Sequence, residues 1–126
     1  MPDAKDIERV FEEYAAAWSR GDVDGVAALF APDAVVHDPV DGPAVEGLDN
    51  IRAFFAEFGA PVRAIRVAGP VHISADCRHA AARMDAEAEL GEGSTLVEAL
   101  DVFTFDDEGR ITTMNAYWGP TNFHHA

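Results

Sequence analysis

The sequence predicts an α+β domain, with a cone-shaped, curved antiparallel sheet and three N-terminal-half helices packed on its concave face. Three observations carry that expectation. Up to Phe58, apolar residues recur mostly at helical spacing. From Pro61 onward the period changes to the alternation of strands. The strand-like segments are long, follow one another directly and are joined by short polar turns, which is the pattern of an antiparallel meander.

The first helix reads from Asp6 to Trp18, with Ile7, Val10, Phe11, Tyr14 and Trp18 three and four residues apart on one stripe. Gly21 stops it. Asp22 caps a second helix carrying Val23, Val26, Ala27 and Phe30. Pro32-Asp33 then reads as a turn, and Ala34 to Asp38 as a short strand ended by Pro39. A third helix is expected over 48–58, with Ile51, Phe54, Phe55 and Phe58 on one side.

In the second half, Met84 to Leu90 alternates strictly, so one face is wet and the other buried. Gly91-Glu92-Gly93-Ser94 reads as a hairpin turn. It lacks the lysine and following helix of a phosphate loop. Thr95 to Phe105 is a long strand, and Asp107 to Arg110 turns it into another, Ile111 to Trp118. Both faces of 97–105 are partly apolar. Val97, Ala99, Asp101, Phe103 and Phe105 alternate with Glu98, Leu100, Val102 and Thr104. The helices cover only one face, so a second copy of the chain, in a homodimer, is expected against the other.

The 126 residues make one domain, 1–126, without linker or repeat. A formal charge of −14, from 23 acidic and 9 basic residues, opposes binding to nucleic acid or to anionic membranes. No apolar run is long enough to span a bilayer, and the charged N-terminus does not read as a signal peptide. With a single cysteine, Cys77, these features lead to the expectation of a cytoplasmic protein. The five histidines lack metal-ligand spacing, so no metal is expected.

Asp101 is the residue most at odds with its surroundings. Alternation points it, with Phe103 and Phe105, to the apolar side of a central strand. A lone carboxylate there neutralises or finds a partner. Asp38 stands at a strand end before proline, where turn chemistry alone could explain it. Tyr14 stands on the buried stripe of the first helix, where packing and one hydrogen bond could account for it.

Taken together, these segments resemble the 3-oxo-Δ5-steroid isomerases, or ketosteroid isomerases, of the nuclear transport factor 2-like (SnoaL-like) superfamily. Tyr14, seven residues before Gly21-Asp22, resembles the family's first-helix tyrosine. The stretch from Asp33 through His37-Asp38-Pro39 to Val40 is similar to the family's DATVEDP segment, though His37 replaces its glutamate. Leu100 to Phe105, Gly109-Arg110-Ile111 and Met114 to Trp118 resemble the strands that carry the second aspartate. Some members support the first-helix tyrosine with further tyrosines; the matching positions here are Phe30 and Phe55.

The resemblance implies a steroid Δ-isomerase that moves a double bond from the Δ5 to the conjugated Δ4 position. Asp38 would take a proton from C4 and return it to C6, while Tyr14 and a protonated Asp101 would donate to the carbonyl oxygen. No cofactor is implied. The partner would be a small hydrophobic, steroid-like substrate, lined by Trp18, Phe30, Phe54, Phe55, Met84, Met114, Ala116 and Trp118. Met84, Ala86 and Ala88 form a wall of flexible and small residues. The alternatives on the same fold are a polyketide cyclase, a dehydratase, or a non-catalytic module that binds hydrophobic ligands.

Overall fold

Asp3 starts the first helix, α1 (Ala4–Ser19), in the computed structural model, which describes residues 1–91 and 93–125. Its side chain accepts from the Asp6 amide at 2.9 Å, and the Asp6 carboxylate accepts from the Asp3 amide at 3.0 Å. This reciprocal cap satisfies two N–H groups that the helix cannot pair itself. Ile7, Phe11, Tyr14 and Trp18 are buried on the stripe expected of them. Asp22 caps α2 (Val23–Ala27) through the Gly25 amide at 2.9 Å. α3 (Leu48–Phe58) buries Ile51 and Phe55.

The strands are β1 (Phe30–His37), β2 (Val45–Glu46), β3 (Val62–Val67), β4 (His72–Ile73), β5 (His79–Glu89), β6 (Ser94–Phe105), β7 (Ile111–Tyr117) and β8 (Phe123–His125). Their main order is β2-β1-β7-β6-β5-β3, with β4 beside β5 and β8 beside β6. The fold is α+β, three helices on a curved, unclosed sheet.

Three details differ from the sequence expectation. The sheet is mixed rather than antiparallel throughout, because β1 runs parallel to β7, with Val36 opposite Met114. The second helix ends at Ala27, and Phe30 opens β1 instead of closing that helix. Pro32-Asp33 lies inside β1 and is no turn. The β1–β7 register shifts between Phe30 and Val35, and that irregularity accommodates a proline lacking a ladder donor. The hairpin turn expected at 91–94 includes Glu92, which lies outside the described residues. No helix among the described residues is long and apolar enough to cross a membrane.

Ser19 fastens the end of α1 to the sheet. Its hydroxyl donates to the Ile65 carbonyl and accepts from the Ile65 amide, each at 3.0 Å. The outer face of the sheet is divided. Toward β3, Asp85 is buried under Arg83, at 2.8 Å, and Arg66, at 3.2 Å. Toward β7 the face is apolar and uncovered, with Leu100 45% and Tyr117 48% exposed.

Candidate active site

The inner face of the sheet is carved by alanine. Asp101 on β6 pairs with Ala82 of β5 and Ala116 of β7. Two small neighbours leave its carboxyl a space instead of a packed wall. Ala86, Ala88, Val97 and Ala99 continue that space along β5 and β6. Between this surface and the helices lies an apolar cavity of about 290 Å³, near the lower end of small-molecule sites. Tyr14, Trp18, Asp38, Met84, Asp101, Met114 and Trp118 all border it. The three residues singled out for chemistry, from α1, the end of β1 and β6, thus meet in one chamber.

Phe30, Phe54, Phe55 and Ala116 were expected to line the cavity and do not. Phe55 is fully buried behind Trp18, with ring centroids 5.3 Å apart, and Phe30 packs behind Phe55 at 5.7 Å. Ala116 is buried opposite Asp101 on the neighbouring strand. Phe54 stacks on Phe58 at 4.8 Å, and it is Phe58 that borders the space. Helical periodicity identifies a buried face but not the depth of each residue on it. The lining also takes in Gly59 and Pro61 from the α3–β3 connection, Val62 and Ile65 of β3, Leu90 after β5 and Phe123 of β8. Apolar character at a strand start is a sequence signal for Val62 and Phe123 alone.

Asp38 immediately follows β1, and the Asp38–Pro39 peptide is cis. The Val40 amide donates to the Ala116 carbonyl at 2.8 Å, which ties the segment after the aspartate to β7. His37 bonds its own loop, through Nδ1 and the Gly42 carbonyl at 3.2 Å. The Asp38 carboxylate accepts from the Trp118 indole N–H at 2.7 Å, a pairing across 80 residues of sequence. Trp118 is in turn stacked on Phe123, centroids 5.9 Å apart. Burial pushes the Asp38 carboxyl up from its usual range, and the Trp118 hydrogen bond acts against that rise.

Asp101 has no such donor among the described residues. Only 4% of it is exposed, and burial, then the neighbouring Asp38 charge, pushes its carboxyl well above the usual carboxylate range. Tyr14 is 2% exposed and its phenol O–H donates to the Met114 sulfur at 3.7 Å, a long bond to a weak acceptor. Burial raises the phenol pKa well above 10.0, the Asp101 and Asp38 charges raise it further, and the Trp18 N–H pulls it the other way. The cavity therefore contains one carboxyl whose indole donor offsets part of the penalty that burial places on its charge, beside a carboxyl and a phenol whose surroundings favour their protons more strongly. That arrangement can remove a proton from a carbon acid and donate two hydrogen bonds to an oxygen on which charge develops. No three His, Cys, Asp or Glu side chains among the described residues converge as a metal site would require.

The SnoaL-like domain family matches residues 11–114, and the chain belongs to it. Among its relatives is the steroid Delta-isomerase of Nocardioides simplex, 34% identical over 116 residues and 91% of each chain. The epoxide hydrolase LasB of Streptomyces lasalocidi is 29% identical over 96% of this chain, which spans half of that protein's length. Among solved structures, the epoxide hydrolase/cyclase-like enzyme SalBIII, described in pyran ring formation in polyether salinomycin, superposes with a TM-score of 0.89 at 27% identity over all of both chains. RV0760c from Mycobacterium tuberculosis superposes over all of both chains with a TM-score of 0.85 at 21% identity, a likeness of fold alone.

Proposed function

We propose that the protein is a steroid Δ-isomerase that converts a 3-oxo-Δ5-steroid to its conjugated Δ4 isomer. The observation that carries this is the contrast between two buried aspartates in one apolar cavity. Asp38 is held by a donor, and Asp101 sits without one near the Tyr14 phenol. The 34% identity to a steroid Delta-isomerase supports the same reading.

In the reaction, the Asp38 carboxylate removes a proton from C4, between the carbonyl and the double bond. The C4–H electron pair forms the C3–C4 double bond of a dienolate, and charge moves to the carbonyl oxygen. Tyr14 and Asp101 donate to that oxygen. When charge returns, the C5–C6 pair takes the proton from Asp38 at C6, the carbonyl re-forms, and the double bond is left between C4 and C5. Nothing is oxidised or reduced overall, so the residues present suffice for the chemistry. The test is the appearance of conjugated-enone ultraviolet absorbance when a 3-oxo-Δ5-steroid is added. No rise above the uncatalysed rate would reject the proposal.

The second reading is epoxide opening, suggested by the relatives at 27–29% identity. A protonated Asp101 could donate to an epoxide oxygen while Asp38 activates a hydroxyl group or water. Turnover of a hydroxy-epoxide with an inert Δ5-steroid would favour it.

Trp118→Phe should change the pH dependence in a definite direction. It removes the donor that favours the charged form of Asp38, so the base's pKa should rise. The acid limb of the kcat/KM profile should then move to higher pH. An unmoved limb would show that Trp118 does not tune the base.

The uncovered outer face suits a second copy of the chain, since a symmetric dimer would bury Leu100 and Tyr117 on both subunits. Sedimentation should give a dimer at micromolar concentration and a monomer for Leu100→Asp. A monomer in both would count against this partner.

A further inference from the structure

Trp18 carries a feature that the reaction above leaves unused. Its indole N–H is the one buried side-chain polar atom without a hydrogen-bond partner among the described residues. The residue is 7% exposed and borders the cavity. Its ring stands edge-on to Tyr14, centroids 6.4 Å apart at 70°, and edge-on to Phe55 on the other side. A buried donor left unpaired costs free energy, and an indole can only donate. Its position is also closely determined. A methyl group on Gly59 would run into the indole ring, so the ring lies where only glycine leaves room. The neighbouring Ser19 is bonded twice to the Ile65 backbone, which fixes this end of α1.

The Tyr14 oxygen is a nearby acceptor to which no described residue donates within hydrogen-bonding geometry. The phenol O–H points to the Met114 sulfur. When a carbonyl oxygen enters, that O–H turns to the stronger acceptor, and the rotation re-aims the lone pairs of the phenol oxygen. Phe55 and Phe30, the next rings behind Trp18, have no hydroxyl to offer. We propose that Trp18 is a positioning residue whose indole N–H donates to the phenol oxygen of Tyr14 when Tyr14 donates to a ligand or becomes ionised. Donation into the phenol oxygen strengthens the bond that the phenol makes in turn, since hydrogen bonds in a chain polarise one another. The indole lies close enough that its N–H already opposes the effect of burial on the Tyr14 phenol, although no bond of full hydrogen-bonding geometry joins the two. The catalytic consequence rests on the isomerase reading, but the contact itself does not.

The test separates the two. Tyr14 and Tyr117 are the only tyrosines, so Tyr117→Phe leaves a single phenol. Incorporating difluorotyrosine lowers its pKa into an accessible range, and fluorine NMR then follows the Tyr14 titration without any steroid. Trp18→Phe should raise the midpoint by about one pH unit, the scale of one hydrogen bond to the charged form. Equal midpoints would overturn the proposal. Should Trp18→Phe fail to fold, the indole N–H resonance of Trp18 in the protein with its tryptophans intact gives the same answer. It should move downfield with the Tyr14 midpoint, and a resonance that stays fixed would overturn the proposal. If the protein is the isomerase proposed above, Trp18→Phe should also lower kcat about tenfold with KM little changed. A protein that turns over no steroid but shows the titration shift would sink the isomerase reading and leave this contact standing.

Discussion

Asp38→Asn is expected to lower steroid isomerisation by at least 10²–10⁴-fold, the range for removing a positioned general base, while steroid affinity changes little. The substitution is nearly isosteric, and the asparagine carbonyl can still accept from the Trp118 N–H, which now holds the Asp38 carboxylate at 2.7 Å. The cavity, its aromatic rim and the two donors on the oxygen side all remain. What disappears is the basic carboxylate to which the proposal assigns the proton, since an amide has no basic lone pair at neutral pH. Binding of a steroid is read by quenching of Trp18 or Trp118 fluorescence, and turnover by absorbance. Loss of both signals together would point to a collapsed site. Full turnover in the variant would exclude Asp38 as the base.

Asp101→Leu is expected to have two large effects of opposite sense. Turnover should fall by about 10²–10³-fold, equivalent to roughly 2.7–4 kcal/mol for one donor lost from an oxyanion site. Stability at neutral pH should rise, because a buried carboxyl that bonds no side chain among the described residues gives way to an apolar group beside Ala82 and Ala116. The pH dependence of that gain has a fixed sign. The Asp101 pKa is raised in the folded protein above its ordinary 3.8. Below that ordinary value both states keep the proton and the carboxyl imposes no pH-dependent penalty. As pH rises from there toward the folded pKa, the unfolded chain releases its proton first and the native state loses stability. The advantage of Asp101→Leu in urea midpoint should therefore grow from about pH 4 upward. An advantage that shrinks over that window would mean that Asp101 is ionised and paired in the folded protein.

Much of this arrangement is legible in the sequence, for physical reasons that also mark its limits. The stripe of α1 and the alternation of β5 and β6 follow from side-chain period, which is local. They suffice to place Tyr14 and Asp101 on buried faces, and the incongruity of an aspartate between alanine and phenylalanine positions marks the latter. The Trp118–Asp38 bond is not legible, because 80 residues separate the partners and nothing local requires them to meet. The parallel pairing of β1 with β7 is hidden for the same reason. Depth is hidden as well. Phe55 and Trp18 both belong to buried helix stripes, yet Trp18 borders the cavity and Phe55 stands behind it, since only packing between α1 and α3 orders them. Phe123 comes from a three-residue strand near the chain end, too short to show a period.

The proton path is the central claim, and the position of an isotope in the product tests it most directly. A 3-oxo-Δ5-steroid deuterated at C4 should be converted in ordinary water, and the product analysed by deuterium NMR before it can exchange. If the single Asp38 carboxylate accepts the deuteron and returns it inside an apolar cavity, part of the label should appear at C6 of the Δ4 product. Product formed at the enzymatic rate with no deuterium at C6 would contradict transfer by one carboxylate and would place a second acid, or solvent, at that carbon.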